Sequence, residues 1–332
     1  MKKKIFTLIK YTFFLGLGLG LLYFAFRNTN PHKMFLEMKE ANYFWVSASV
    51  LVGIFAYYSR AARWLILLEP MGYKPKISNS LYSVLFGYFA NLAAPRVGEL
   101  ARCTALNQTE KIPLNALIGT VLLERVIDVV ILFLLIVLSV FLNAGLFGKF
   151  FLDVFKNKIQ SSGNLNLIYL AIGFGFIIIA AIYFWRKKIA SFSFFLKIKT
   201  FLSGVVEGFV SIGKMKKKWS FIAHTTTIWA SYIVMAYVGF FALKETQHLT
   251  FADGIFITVV GGLGMAVPSN GGIGTYHASV MFGLAALGIE NETGLVFATI
   301  MHASQVLFII LLGTFSFTML YLKKNKKKDV KL

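Results

Sequence analysis

With 57% apolar and only 14% charged residues among 332, the chain has little more than half the charge of an ordinary soluble domain. This composition excludes a soluble enzyme and indicates a helical membrane protein that crosses the bilayer several times. The formal charge of +20 does not indicate nucleic-acid binding. The lysines cluster beside apolar stretches, as expected from the positive-inside rule and from contact with anionic lipid head groups. The single Cys103 excludes an internal disulfide.

Six apolar stretches predict an all-α polytopic fold with about six full transmembrane helices. They lie at 5–26, 43–68, 114–142, 165–185, 219–243 and 295–322. The first is too long for a signal peptide and lacks a cleavage site, so it is interpreted as an uncleaved anchor. The predicted order in this single domain is an N-terminal anchor (1–40), a first repeat (43–142), a connector span with an interfacial helix at 190–213 (165–218), a second repeat (219–322) and a basic tail (323–332).

The segment 77–112 is predicted to be a re-entrant hairpin with its tip at Pro95. If 77–94 crossed the membrane fully, the lysine-rich loop 186–218 would face outside, against the positive-inside rule. A dip that returns to the same side places this loop and both termini in the cytoplasm. Both termini are therefore expected to be cytoplasmic.

A second re-entrant hairpin is predicted at 251–288, entering from the opposite side. Its tip, GMAVPSNGG, shares with NLAAPRVGE of the first hairpin an Ala-x-Pro followed three residues later by glycine. Inverted repeats with broken helices that meet near the membrane midplane are a known transporter architecture. Both tips are expected to restart a helix directly after the proline. Ordinary Pro-Gly turns between helices are the alternative.

The tips have the chemistry of an anion site. Unpaired N–H groups and the helix dipole favour an anion where a helix restarts, and the fork of an arginine suits phosphate. The first tip offers Arg96 and Arg102. The second offers Ser269, Asn270, Gly271 and Gly272, whose glycines let a ligand approach the backbone.

The stretch VLLERVID places charges at mid-membrane depth, because Glu124 lies eleven residues into its span and about 16 Å along it. Glu124 and Asp128 share one face, and Arg125 can pair with Asp128. A buried charge network is therefore predicted, with a cation required opposite the carboxylates. The arginines available are Arg60, Arg63, Arg96 and Arg102. A functional role and a structural ion pair between this span and the first hairpin both stay open.

His277 and His302 lie in or beside apolar segments. Because their spacing is not that of metal ligands, neither a metal nor a cofactor is expected. A polar lining is the plain interpretation, and a proton relay is the functional alternative.

Four motifs together resemble one family. RAARWLILLEPMGYK, NLAAPRVGELAR, LLERVID and PSNGGIGTYH, in this order over roughly 40–320, are similar to the lysylphosphatidylglycerol synthase transmembrane-region family. This is the flippase-like domain of bacterial multiple peptide resistance factor proteins, which also occurs alone. The shared positions are Arg60, Arg63, Asn91, Pro95, Arg96, Gly98, Glu99, Arg102, Glu124, Arg125, Asp128, Pro268, Gly271, Gly272 and Gly274.

The resemblance implies a protein of the bacterial inner (plasma) membrane that moves a charged phospholipid, or another lipid-linked head group, between leaflets. Residues Arg60, Arg63, Asn91 and Glu99 then join the two tips as candidate contacts of the anionic head group. His277 departs from the glutamate that many members carry. The aminoacyl-transfer domain of the synthases is not expected after the basic tail, so no enzymatic activity is predicted.

Two other functions stay open at this point. One is a secondary transporter of a small anionic solute, and the other is an accessory membrane subunit of a lipid-modifying enzyme. The expected partners are anionic phospholipids and the bilayer, and association into homo-oligomers is left open.

Overall fold

The computed structural model describes residues 30–145 and 216–329, together with the single positions 16, 20, 23 and 26. All regular structure in these residues is helical. The α-helices in chain order are α1 Pro31–Glu40, α2 Tyr43–Leu68, α3 Ile77–Ala93, α4 Gly98–Glu110, α5 Leu114–Leu142, α6 Lys218–Phe240, α7 Phe251–Ala266, α8 Thr275–Ala286 and α9 Asn291–Asp329. Short 3-10 turns follow α2 at Glu69–Met71 and α6 at Lys244–Thr246.

Four helices among the described residues are long and apolar enough to cross a membrane. They are Tyr43–Met71, Leu114–Leu142, Lys218–Phe240 and Asn291–Lys323, and they match four of the predicted spans. The multi-pass helical class is therefore confirmed. The predicted span at 165–185 and the interfacial helix at 190–213 lie outside the described residues, as does most of the first span, so the count of six stays a prediction.

Side-chain caps fix where several helices begin. The Asn42 side chain accepts a hydrogen bond from the N–H of Phe44, at 3.1 Å, at the start of α2. At the start of α7, Thr250 and Asp253 form a reciprocal capping box. Each cap satisfies N–H groups that have no partner within the helix.

Helices α2 and α6 lie antiparallel along their whole length. At one end the N–H of Asn42 donates to the carbonyl of Ala242 at 2.8 Å, and at the other end Lys217 pairs with Glu69 at 2.9 Å. We call these the Asn42 end and the Glu69 end of the bundle. Between them the Ser49 hydroxyl, which is fully buried, donates to the Met235 carbonyl at 2.8 Å.

Helices α3 and α4 form hairpin 1 (77–110). At its open end the Glu110 carboxylate accepts hydrogen bonds from the N–H of Lys76 and from the Asn79 amide. Toward the tip, Gly87 and Gly98 face each other so closely that a Cβ built on Gly98 would lie 2.1 Å from the Gly87 carbonyl oxygen. The helices are therefore packed antiparallel, with their backbones in direct contact.

Helices α7 and α8 form hairpin 2 (251–286). Near its tip a Cβ on Gly264 would lie 2.6 Å from the Ser279 hydroxyl, and near its open end a Cβ on Gly283 would lie 3.1 Å from Ile257. Small residues thus permit the close antiparallel contact in this hairpin as well.

The two hairpins begin at opposite ends of the bundle. Ile77 packs against the cluster that contains Leu68, and the Ser80 hydroxyl donates to the Ala61 carbonyl at 3.0 Å, which places the open end of hairpin 1 at the Glu69 end. The open end of hairpin 2 precedes Glu290, which pairs with Lys33 at 2.9 Å at the Asn42 end. Helical hairpins therefore occupy both predicted positions, while their entry into a membrane stays a prediction.

Cysteine labelling is expected to divide the described loops into two sets. In a Cys103→Ala background, cysteines at Glu40 and Lys244 should react with an impermeant reagent from one side of the membrane. Cysteines at Lys74 and Lys217 should react from the other side, because the bundle separates the two ends. Labelling of positions 40 and 74 from the same side would contradict this arrangement.

Candidate functional site: a buried charge cluster below two hairpin tips

Five side chains from α2, α4 and α5 form the charge cluster. Asp128 accepts a hydrogen bond from Arg60 on one carboxylate oxygen and from Arg63 on the other, each at 2.9 Å. Glu124 accepts from Arg102 at 2.5 Å, and the Nε of Arg63 lies 3.9 Å from its other oxygen. Both Arg63 and Glu124 have no solvent exposure. The cation predicted opposite the carboxylates is thus supplied by three arginines.

Polar aromatic side chains complete the surroundings of the cluster. The guanidinium of Arg102 lies 4.7 Å from the Trp64 ring centroid. Tyr232 accepts a hydrogen bond from Arg60 at 3.4 Å, and its hydroxyl lies 3.5 Å from that of Tyr88. These aromatic residues could not be predicted as neighbours of the charges, because an aromatic residue in an apolar span gives no sequence signal of what it contacts.

The ion pairs of the cluster connect α2, α4 and α5. Removing one partner of a buried ion pair typically costs about 3–5 kcal/mol, because the other charge is left uncompensated. Since Arg60, Arg63 and Arg102 are all engaged with carboxylates, the geometry favours the ion-pair interpretation of these three residues. Whether they also contact a head group stays a prediction.

Arg125 differs from the other members of the predicted buried network. Its side chain is 44% exposed and lies 3.6 Å from Asp128. The pairing at three residues apart is as predicted, but the assignment of Arg125 to a buried position is wrong. The reason is its place on α5, where Leu122 and Val129 on the same side of the helix are exposed too.

The tip of hairpin 1 (94–97) is built around Asn91. Its side chain accepts a hydrogen bond from the N–H of Gly98 at 2.7 Å, which fixes the start of α4. The helix therefore restarts at Gly98 and not directly after Pro95 as predicted. Arg96 precedes the helix, with a positive φ of 60°. Arg96 and Arg102 therefore do not lie on one helix, as a restart directly after Pro95 would have required.

The tip of hairpin 2 (267–274) is a glycine turn. Gly271, Gly272 and Gly274 all have positive φ, where a side chain is strained. The hydroxyls of Ser269 and Thr275 lie 2.8 Å apart and close the turn. Helix α8 begins at Thr275, seven residues after the proline, so the predicted restart is also too early here.

The two tips touch each other. The N–H of Gly271 donates to the carbonyl of Asn91 at 3.1 Å. Arg96 donates to the carbonyl of Ala266, the last residue of α7, at 3.3 Å. His302 of α9 lies 2.9 Å from the carbonyl of Gly271. The tip residues of both motifs therefore meet at one place.

Three rings stand beside the second tip. His302 lies 4.9 Å from His277 and 5.1 Å from Tyr276, measured between ring centroids. The described residues contain no group of three or more metal-ligating His, Cys, Asp or Glu side chains. Two of the residues predicted to contact the head group are Glu99, in the first turn of α4, and Asn270, in the second tip. Each has a side-chain oxygen that is buried without a hydrogen-bond partner in the described structure.

The fold places the chain among multi-pass helical membrane proteins. The chain belongs to the family described as "Lysylphosphatidylglycerol synthase TM region", which it matches over residues 8–313, and this confirms the resemblance. It is also similar to the UPF0104 membrane protein MJ1595 of Methanocaldococcus jannaschii, with 29% identity over 153 residues. That alignment covers 43% of this chain and 42% of the relative. No solved structure matches the chain.

Proposed function

We propose that the protein moves a phospholipid, or another lipid with an anionic head group, between the two leaflets of a membrane. The observation that carries the proposal is the contact between the tips of two hairpins that begin at opposite ends of the bundle. Interrupted helices at membrane depth need protein or water around their free backbone groups. Tips that part would open a polar route between the two ends.

The arrangement of the helices supports an inverted repeat. Hairpin 1 packs on α9, where Phe89 meets Gly313. Hairpin 2 packs on α5, where Leu132 meets Gly262. If α2–α5 and α6–α9 are taken as two repeats, α3 corresponds to α7 and α5 corresponds to α9. The contact of α3 with α9 is then the counterpart of the contact of α7 with α5. This symmetry supports re-entrant hairpins that enter from opposite sides, an architecture in which movement of one repeat against the other gives alternating access.

The membership of the family supports a lipid as the transported molecule, since its description ties it to a lipid-modifying synthase. The exposed apolar side chains of α2 and α5, Phe55 and Phe133 among them, suit contact with acyl chains. The sequence contains no phosphate-binding loop of the GxxxxGK[ST] kind, so we propose transport that is downhill or coupled to protons.

We further propose a bacterial inner-membrane location with both termini in the cytoplasm. The Glu69 end carries Lys217 and Lys323 and would face the cytoplasm under the positive-inside rule.

A leaflet assay tests the function. The purified protein is reconstituted into liposomes with a trace of head-group-labelled lipid, and an impermeant reagent quenches the label in the outer leaflet. In protein-containing liposomes, labelled phosphatidylglycerol should become fully quenched. Labelled phosphatidylcholine should be quenched more slowly. Protein-free liposomes should retain about half of the signal. Equal protection in both preparations, with every lipid tried, would refute lipid translocation and leave a small anionic solute as the next substrate to test.

A further inference from the structure

Two buried histidines stand beside the tip of hairpin 2. His277 belongs to α8 and His302 to α9, and each is only 6% exposed. Their rings meet at right angles, with centroids 4.9 Å apart. Tyr276 stacks on His302 and lies 6.2 Å from His277, measured between ring centroids. We call His277 and His302 the histidine pair.

His302 holds the residue that joins the two tips. Its Nε2 lies 2.9 Å from the carbonyl oxygen of Gly271. The N–H of the same glycine donates to the carbonyl of Asn91 in hairpin 1 at 3.1 Å. Because a carbonyl oxygen can only accept, Nε2 of His302 carries the hydrogen and donates it. A change at His302 therefore acts directly on the contact between the tips.

A proton on the histidine pair would have no counterion. Within the described ranges, neither imidazole has a carboxylate at ion-pair distance. The Nδ1 atom of His277 is buried and makes no hydrogen bond there. An added positive charge would therefore be held by neither a carboxylate nor an acceptor in the closed arrangement of the tips.

The charged groups along the helices packed around the pair have partners of their own. With those partners they are Arg60–Asp128, Arg102–Glu124, Lys33–Glu292, Lys323–Asn79 and the Thr250–Asp253 capping box. At the tips, Arg96 donates to the carbonyl of Ala266. Glu99, in the first turn of α4, lies beyond ion-pair distance of both imidazoles. The phenol ring of Tyr276 is the ionisable side chain in ring contact with both histidines.

Proton uptake by the pair would favour tips that have parted. A buried charge without a counterion is costly, and water that enters between parted tips removes that cost. The proton then binds more strongly to the open arrangement, and a ligand shifts an equilibrium toward the state that binds it better. Two positive charges at the separation of these rings would repel each other, so the pair takes up one proton.

We infer that His277 and His302 form a proton-binding site, which releases Gly271 and parts the two tips when it takes up one proton. An imidazole nitrogen gains an N–H bond in this step and no covalent bond breaks. Imidazole is the side chain whose charge ordinarily changes between about pH 5 and pH 8. Lipid movement therefore becomes faster as the pH falls through this range. The effect on lipid rests on the proposed function, whereas the parting of the tips does not.

The first test measures lipid movement in liposomes that have the same pH on both sides, at about pH 5.5 and about pH 7.5. Extraction of short-chain labelled phosphatidylglycerol by albumin gives the rate, and protein-free liposomes give the background at each pH. The parent protein should move the lipid about tenfold faster at the lower pH, as for one proton taken up near pH 6.5. The double variant His277→Gln/His302→Gln should show equal rates, because glutamine still donates to the Gly271 carbonyl but cannot be protonated.

His224→Gln is the matched control. His224 stands beside Tyr58, with ring centroids 6.5 Å apart, in the part of α6 near the Glu69 end. The substitution removes another imidazole from a membrane span but leaves the tips untouched, so the pH response of the parent should persist. Thermal unfolding at both pH values shows whether each variant is folded.

Hydrogen exchange of the tip segment 267–274 tests the parting of the tips without any transport. The full-length parent protein and the double variant are compared in detergent at each pH, so that the effect of pH on the chemical step of exchange cancels in their ratio. This ratio should rise several-fold at the lower pH, because the N–H of Gly271 is freed from Asn91. A ratio that stays constant, or a double variant that still accelerates lipid movement as the parent does, would overturn the proton site. A rise in the ratio in a protein that moves no lipid at either pH would leave the site standing and refute only the proposed function.

Discussion

Replacing Glu124 by glutamine is expected to lower the free energy of unfolding by about 3–5 kcal/mol. The amide keeps the shape of the side chain but removes the charge that faces Arg102 at 2.5 Å and Arg63 at 3.9 Å. Arg102 would then stay buried without the carboxylate that pairs with it, while Arg63 would keep Asp128. The measurement is thermal and denaturant unfolding of the purified variant in detergent, together with its yield in the membrane.

Two comparisons make this result specific. Arg102→Met combined with Glu124→Leu removes both partners of one pair, and should recover much of the lost stability because no charge is left alone. Glu290→Gln removes a carboxylate from an exposed pair with Lys33 and should leave the unfolding transition where it is. If Glu124→Gln unfolds like the parent protein but no longer moves lipid, the role of Glu124 is functional and the structural interpretation fails.

Replacing Gly98 by alanine is expected to disrupt hairpin 1. The added Cβ would lie 2.1 Å from the Gly87 carbonyl oxygen and 2.7 Å from the side-chain amide of Asn91. The first contact is with backbone, so relief requires the two helices to separate. Separation also breaks the hydrogen bond between Asn91 and the N–H of Gly98 that starts α4. We expect loss of several kcal/mol in stability, within the range of severe overpacking.

Gly119→Ala is the matched control for this substitution. Gly119 lies inside α5, and a Cβ there would meet no atom within 4 Å. Alanine has the higher helix propensity, so this variant should be as stable as the parent or slightly more stable. Equal thermal unfolding of the Gly98→Ala and Gly119→Ala variants would contradict the close contact of α3 and α4.

The long helices could be predicted from composition, because a bilayer span needs about 20 apolar residues whatever its neighbours are. The residue at which α4 starts could not be predicted from the sequence. It depends on the Asn91 amide and on the contact between Gly87 and Gly98, and both are tertiary interactions between α3 and α4. A proline marks the end of the preceding helix more reliably than the start of the next one.

The charge cluster could be predicted in part. Helical spacing shows that Glu124 and Asp128 share a face, and burial of carboxylates in an apolar span requires cations. Spacing along one helix does not choose among arginines on other helices, so the roles of Arg63 and Arg96 were not distinguishable. The exposed position of Arg125, on the side of α5 that carries Leu122 and Val129, depends on which faces of α5 the other helices cover, and no local pattern around residue 125 reveals that.

A reversible cross-link between the two tips tests most directly whether they must part for lipid to move. A Cβ on Gly271 would lie 3.6 Å from the Cα of Leu92, so cysteines at these two positions are within reach of a disulfide. Replacing Leu92 also removes the side chain that would meet the new Cβ. In a Cys103→Ala background, the oxidised protein in liposomes should leave labelled phosphatidylglycerol at the protein-free level of quenching, and reduction should restore movement. Movement at the same rate in the oxidised and reduced forms would contradict a lipid pathway through the tips.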